Sequence, residues 1–123
     1  WHMRLRRSRL AEYKHCRMEQ KKDKEGGTYT EYGSPSSFYA EMWAAGGRLQ
    51  SEMYGSRLPN IRNLRLEGTY REVPGKTGKV SYEVTDGPTI TVNDGICING
   101  DAPDYKVVAI YPYRFLTLEV EKI

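Results

Sequence analysis

Short stretches in which apolar and polar residues alternate run through most of this chain, and Gly, Pro, Asn or Asp separates them. The clearest example lies near the C-terminal end. There Leu116, Leu118 and Val120 share one face, and Phe115, Thr117, Glu119 and Glu121 share the other. Alternation of this kind predicts a β-strand with one buried face and one face in water.

The last third of the chain, from Thr89 to Ile123, is predicted to be a three-stranded antiparallel meander. Its apolar runs are rich in β-branched and aromatic residues, which favour strands. Between residues 89–92 and 96–98 lies Asn93-Asp94-Gly95, whose residues tolerate a positive φ angle at low cost. We therefore expect residues 89–92 and 96–98 to form a hairpin.

The rest of the chain is predicted to add further short strands and one helix. Leu49, Met53 and Tyr54 form a narrow apolar stripe at helical spacing, and Gly55 is suited to end that helix. The predicted elements are an edge strand at 12–20, a hairpin tip at 21–27, strands at 38–45, 61–70 and 80–84, and a helix at 48–54. The predicted fold is mainly β: a small antiparallel β-barrel of six or seven short strands, one short helix and extended loops.

Length and composition predict one domain that spans all 123 residues. Residues 1–11 are expected to be a basic, flexible arm, in which Trp1-His2 before Met3 resembles an expression remnant. The hydrophobic fraction is 38%, and ten of these residues are tyrosines, which suggests a surface completed by another subunit. No apolar run approaches the ~18 residues of a membrane span, so no membrane contact is expected.

Positive charge is concentrated near the N-terminus. Residues 1–25 hold nine basic and four acidic side chains, a surplus of five positive charges, whereas the rest of the chain has a net charge of −2. The basic residues Arg4, Arg6, Arg7 and Arg9 could contact DNA phosphates or an acidic protein ring. A solvated tail is the alternative, and the sign of the charge does not choose between them.

No residue pattern predicts an active site, and we expect no catalytic, cofactor-binding or metal-binding residues. Cys16 and Cys97 belong to no CxxC motif, so free, partly buried thiols in a reducing compartment are expected. His15 has no second ligand at a useful spacing. The stretch from Gly75 to Lys79 lacks the spacing and the following helix of a phosphate-binding loop, and is predicted to be a hairpin tip. The chain is therefore not expected to be an enzyme.

Two groups of side chains have alternative interpretations. Acidic residues in the C-terminal part could act as pairs in acid–base or metal chemistry, but solubility is the preferred role; they are Asp101 with Asp104 and Glu119 with Glu121. Aromatic residues there could stack on nucleic-acid bases, but core and interface packing is preferred; they are Tyr105, Tyr111, Tyr113 and Phe115.

The order of elements, with three short motifs, resembles that of a known family. Trp43-Ala44 ends a strand before the helix, Asp94-Gly95 lies in a turn, and Ile110-Tyr111-Pro112 precedes the last strand. In this order the chain resembles the head–tail joining proteins, also called head-closure or stopper proteins, of long-tailed bacteriophages and prophages. The resemblance covers nearly all of residues 12–121.

This resemblance implies a structural role in the virion, at the neck between head and tail. The implied partners are the portal and adaptor proteins of the head and the tail proteins. The protein would form a homo-oligomeric ring, from a chain that could be a monomer in isolation, near double-stranded DNA in the channel. The ring would assemble in the bacterial cytoplasm, retain packaged DNA and dock the tail. The candidate interface residues are Arg4, Arg6, Arg7, Arg9, Trp43, Tyr54, Tyr111 and Tyr113.

Two other functions fit the same sequence. A tail-completion or terminator protein would share the strand-rich, ring-forming character. A small β-barrel that binds nucleic acid would use the basic arm and the tyrosines, and its affinity would fall steeply with salt.

Overall fold

The computed structural model describes residues 9–75, 79–100 and 102–123, and most of its regular structure is β-strand. Along the chain the elements are β1 (Ala11–Cys16), β2 (Met18–Lys22), β3 (Thr28–Tyr32), β4 (Ser36–Ala44), α1 (Gly47–Tyr54), a 3-10 helix (Gly55–Asn60), β5 (Ile61–Leu66), β6 (Tyr70–Pro74), β7 (Val80–Val84), β8 (Thr89–Ile90), β9 (Gly95–Cys97), β10 (Tyr105–Pro112) and β11 (Leu116–Lys122).

Six of these strands close into an antiparallel barrel in the order β1-β4-β5-β11-β10-β9. The predicted class, a small antiparallel β-barrel with one short α-helix, is confirmed. The described residues also contain two smaller antiparallel sheets, β2-β3 and β6-β7-β8, which continue beyond the barrel. The barrel thus has six strands, within the six or seven predicted, and the two smaller sheets add five more strands to the described part of the chain.

Apolar side chains fill the barrel, which is a packed core and not a pore. The alternation in the last strand predicted this correctly, since Leu116, Leu118 and Val120 are all buried. The predicted strand at 38–45 is confirmed as β4, and its Phe38 and Ala40 lie in the same core. Further core residues are Leu64, Leu66, Val84, Ile90, Ile96, Tyr105 and Val107.

The predicted hairpin tip at 21–27 is confirmed by the pairing of β2 with β3. Asp23 organises the turn, because its Oδ1 atom accepts hydrogen bonds from the backbone N–H groups of Glu25 (2.9 Å) and Gly27 (2.7 Å). The strands β6 and β7 form a second hairpin around the predicted loop at 75–79, of which residues 76–78 lie outside the described part.

The predicted edge strand at 12–20 is wrong in two respects. It is divided after Cys16 into β1 and β2, which belong to different sheets. Moreover, β1 is not an edge, since it pairs with β4 on one side and β9 on the other. Its basic residues suggested an exposed edge, but a closed barrel leaves none.

The predicted hairpin between residues 89–92 and 96–98 is also wrong. β8 pairs with β7, whereas β9 pairs with β1 and β10. Asn93 does adopt a positive φ of 80°, as its residue type suggested. The turn at Asn93 leads from the small sheet into the barrel. The predicted three-stranded meander therefore begins only at β9 and consists of β9, β10 and β11.

The predicted strand at 61–70 is interrupted. Gly68 has a φ of 94°, and the chain there leaves β5 of the barrel to enter β6 of the small sheet. A positive φ is cheap for glycine, so this residue permits the change of direction.

The predicted helix at 48–54 is confirmed as α1, which ends at Gly55 with a φ of 55°. A 3-10 helix follows it, which the sequence did not suggest. No helix in the described residues is both long and apolar enough to span a membrane.

Candidate partner-binding surface

A row of side chains runs across the outer surface of the barrel beneath α1. Strand register places Trp43 of β4 opposite Asn63 of β5, and Asn63 opposite Glu119 of β11. Directly opposed residues on neighbouring strands point to the same face of the sheet. The next row along the same strands contains Glu41 and Arg65.

Arg65 connects these two rows. Its guanidinium lies over the indole ring of Trp43, with Cζ 5.1 Å from the ring centroid, and its Nη1 atom is 2.9 Å from Oε1 of Glu41. A planar guanidinium suits both contacts at once, because its face packs on the ring while its edge donates hydrogen bonds. Trp43 is thereby held in place although its side chain is 40% exposed.

The helix α1 covers Glu119 with Gln50 and Tyr54, which lie four residues apart and therefore share one helix face. The Nε2 atom of Gln50 donates to Oδ1 of Asn63 (2.7 Å) and to Oε2 of Glu119 (3.2 Å). Glu119 is only 3% exposed, so the prediction that it lies on a wet face is wrong. The strand alternation was correct, but a helix covers what would otherwise be the wet face.

Two tyrosine hydroxyls also donate to the Glu119 carboxylate. Burial and the hydrogen bond to Glu119 raise the pKa of Tyr54 well above its ordinary value. The bond to Glu119, followed by burial, raises the pKa of Tyr111 to about 12. Both pKa shifts have the same electrostatic cause. The negative charge of a phenolate would be repelled by the buried carboxylate, so each phenol keeps its proton.

The cluster continues to the surface through Tyr113. Its ring stacks on that of Tyr111, with centroids 5.6 Å apart and an interplanar angle of 12°, and 63% of Tyr113 is exposed. The hydroxyl of Tyr70, on β6, donates to the backbone carbonyl of Tyr113, so the small sheet is tied to the same turn.

A second carboxylate on β11 is held from the 3-10 helix. Nε of Arg57 donates to Oε2 of Glu121 at 2.7 Å, and this bond lowers the pKa of Glu121. The Arg57 guanidinium also lies 5.6 Å from the ring centroid of Tyr54. Solubility was the role predicted for Glu119 and Glu121, yet both fasten the helical segment to the barrel.

We call the surface that carries Trp43, Tyr54, Tyr111 and Tyr113 the aromatic face. The helix adds Leu49 and Met53, which were expected to form an apolar stripe and which are 71% and 50% exposed. The stripe therefore lies beside the helix face that contacts the barrel and remains open to solvent. Large exposed apolar side chains around an Arg–Trp pair are typical of protein-binding surfaces.

The aromatic face unites the aromatic residues that the sequence indicated as interface candidates. Tyr54 and Tyr111 meet at Glu119, and Tyr113 stacks on Tyr111. Trp43 lies two strands away from Glu119 in the same row. Of the basic candidates, Arg9 is exposed at the start of the described chain, whereas Arg4, Arg6 and Arg7 lie outside the described residues.

Of the residues that hold this surface together, Gln50, Asn63 and Arg65 were not singled out from the sequence. Glu119 was singled out, but for solubility or acid–base chemistry and not for this role. A partial signal existed, because Gln50 and Tyr54 are four residues apart in a helix whose apolar stripe is shifted to one side. Nothing in the strand pattern showed that this helix would lie over β11.

A second cluster of polar side chains is buried where β1 meets β9. Nε2 of His15 is 2.7 Å from Oδ2 of Asp94, and both side chains are almost completely buried. Asp94 also accepts hydrogen bonds from the backbone N–H groups of Met18 (3.1 Å) and Thr91 (2.9 Å). Asp94 thus fixes the chain at the two points where it passes between the barrel and a smaller sheet.

Cys16 and Cys97 are both free and both buried, with their Sγ atoms 3.7 Å apart. The described residues contain no group of three or more His, Cys, Asp or Glu side chains suited to hold a metal ion.

Of the two acidic residues singled out in the C-terminal loop, Asp104 has a structural role. Asp104 closes its loop, because it accepts hydrogen bonds from the N–H groups of Ile98 (2.7 Å) and Asn99 (3.0 Å), whereas Asp101 lies outside the described residues. Tyr105 is 7% exposed and packs in the core, which agrees with the packing role preferred for it.

Comparison with protein families, curated proteins and solved structures found no match for this chain.

Proposed function

We propose that this chain is a structural protein of phage assembly, which joins the head to the tail as part of a ring in the neck of the virion. One observation carries the proposal: a single closed barrel combines an exposed aromatic face with a separate, largely exposed two-stranded sheet that has free edges. Within the described strands, β2 and β3 pair only with each other. Both strands are largely exposed, as is Tyr29 on β3.

A cyclic ring requires two different patches on each subunit, because the contact is head to tail. The aromatic face supplies one patch, on β4, β5, β11, β10 and α1. The β2-β3 hairpin supplies the other, since it follows β1 and lies outside those four strands. Its free edges can add a strand from a neighbouring subunit or partner.

The chemistry of the two patches suits assembly and not catalysis. Trp43 and Tyr113 are rigid aromatic side chains, which make strong contacts at a low cost in conformational entropy. The barrel interior is filled by side chains, so DNA would pass through the centre of a ring of copies and not through the barrel itself. The portal and adaptor would lie on one side of that ring, and the tail on the other.

The test is electron microscopy of particles made by the inducible phage or prophage after deletion of this gene. Filled or leaking heads beside complete, unattached tails would support the proposal, and restoration of whole virions by the gene in trans would be the control. Tails of aberrant length or with unfinished ends would favour the tail-completion alternative. Normal virions would overturn both.

A binding measurement distinguishes the nucleic-acid-binding alternative from the proposed assembly role. Its stacking platform would be Tyr111 and Tyr113, of which Tyr111 lies against the Glu119 carboxylate. A negative charge there opposes a phosphate backbone, so we expect no strong, salt-dependent binding of single strands. Tight binding that weakens steeply with added salt would favour that alternative.

A further inference from the structure

The two cysteines face each other across a seam of the barrel although 81 residues separate them in the chain. Register places Lys14 opposite Cys97 and Cys16 opposite Gly95, so the cysteines are diagonal neighbours on β1 and β9. His15 lies opposite the core residue Ile96, and alternate residues of a strand point to opposite faces. The two thiols therefore lie on the outer side of the barrel wall.

A thin cover buries the thiols there. A side chain at Gly95 would collide with this cover, since a Cβ atom would be 2.8 Å from Cβ of Pro103 and 2.9 Å from Cε1 of Tyr32. Tyr32 ends β3, and Pro103 belongs to the loop before β10. With this cover in place, Cys16 is 1% and Cys97 is 2% exposed. Tyr32 itself is only half-buried, so little protein separates the thiols from solvent.

We propose that Cys16 and Cys97 are a modification site, at which a small-molecule disulfide converts the two thiols into an internal disulfide that locks the seam between β1 and β9. The sulfurs need to move from 3.7 Å to about 2.05 Å, less than 1 Å for each side chain. No other cysteine of this chain competes for either thiol.

The chemistry is two successive thiol–disulfide exchanges with oxidised glutathione. One cysteine loses its proton to solvent, and the thiolate attacks a glutathione sulfur. A mixed disulfide forms, and the first glutathione leaves as a thiolate that takes up a proton. The second cysteine, also deprotonated, attacks the protein sulfur of the mixed disulfide, and the second glutathione leaves in the same way. Two protein thiols are oxidised, and one small disulfide is reduced to two thiols.

The folded protein resists this reaction until its cover opens. Burial, together with the hydrogen bond to Cys16, raises the pKa of Cys97 to about 12, and the thiolate is the reactive form. We therefore expect slow oxidation of the native chain and faster oxidation when Tyr32 is replaced by alanine.

One consequence depends on the proposed assembly role. The dithiol would be the form that assembles in the host, and the disulfide would be the form that persists in the virion after release.

The test uses the purified, fully reduced chain in buffers of increasing oxidised-to-reduced glutathione ratio. At each ratio free thiols are alkylated, and the intact mass and the non-reducing gel mobility are measured. We expect both thiols to disappear together from a monomer that carries no glutathione, and Tm to rise by about 10 °C because the bond closes a long loop. This chemistry does not depend on the head–tail role, so the two proposals can fail separately.

Cys16→Ala and Cys97→Ala are the matched controls, and each should yield at most a glutathione adduct with no rise in Tm. Wild-type protein that accumulates glutathione adducts or disulfide-linked dimers would overturn the proposal. So would native protein whose thiols stay free at ratios that fully oxidise the same chain in urea.

Discussion

The two most deeply buried carboxylates described in the barrel wall, those of Asp94 and Glu119, are held in different ways. Asp94 accepts hydrogen bonds from two backbone N–H groups and from His15, all of them buried or half-buried. By contrast, the hydrogen bonds described above for Glu119 all come from side chains, those of Gln50, Tyr54 and Tyr111. Backbone donors fix the path of the chain, whereas side-chain donors fix the residues of a surface. We infer that Asp94 serves the fold and that Glu119 serves the aromatic face.

The largest expected effect is that of Asp94→Ala. This change leaves two backbone N–H groups and a histidine without their acceptor inside the barrel wall, and it should lower the free energy of unfolding by about 4 kcal/mol. Urea denaturation followed by circular dichroism measures it. A loss below about 1 kcal/mol would show that water replaces the carboxylate easily, and would remove the contrast with Glu119.

Glu119→Gln should have an intermediate effect, with a loss of about 2 kcal/mol, because the amide keeps the shape but has one acceptor atom in place of two. The change should also lower the pKa of Tyr54 and Tyr111 toward the ordinary value for tyrosine. Ultraviolet titration of the phenols measures this shift. Unchanged tyrosine titration would contradict the role of the carboxylate.

Tyr111→Phe should cost about 1 kcal/mol at neutral pH and should also flatten the alkaline stability profile. The pKa of Tyr111 rises from 10.0 to about 12 on folding. The stabilisation is therefore complete below pH 10 and is lost as pH rises from 10 toward 12, where the unfolded chain deprotonates first. Denaturation at pH 8 and pH 11 tests this. Tyr113→Phe is the control and should leave the wild-type slope.

The smallest effect is expected for Arg57→Gln, since the Arg57 side chain is 54% exposed and surface ion pairs contribute little. The pair with Arg57 lowers the pKa of Glu121, so its contribution is present at neutral pH and is lost as the carboxyl takes up a proton in acid. The difference in Tm between variant and wild type should therefore shrink from pH 7 to pH 3. A difference that grows in acid would contradict this pairing.

The sequence predicted which faces of the strands are buried better than it predicted which strands pair. Leu116, Leu118 and Val120 alternate with polar residues, and alternation alone places them in the core. Asn93 permits a positive φ, but a turn that closes a hairpin and a turn that leads to another sheet need the same residue types. The pairing of β9 with β1 depends on residues about 80 positions away, which no local pattern reveals.

The candidate surface was predicted only in part, again because a local sequence pattern does not reveal tertiary contacts. Its aromatic anchors were identified by residue type, because Trp and Tyr are common at interfaces. Their support was not identified, because Glu119 in a wet-face pattern looks identical whether water or a helix covers it. Whether a polar side chain is buried depends on tertiary contacts, and the periodicity of one strand does not predict those contacts.

The central claim is that the aromatic face serves assembly while Asp94 serves stability, and complementation of the deletion phage tests it most directly. The double variant Trp43→Ala with Tyr113→Ala removes two exposed anchors, and Tyr39→Ala, which is 56% exposed on the same β4, is the matched control. We predict that the double variant leaves heads and tails unjoined while its Tm stays within about 3 °C of wild type, as expected for exposed sites. Whole virions in normal yield from the double variant would contradict the claim.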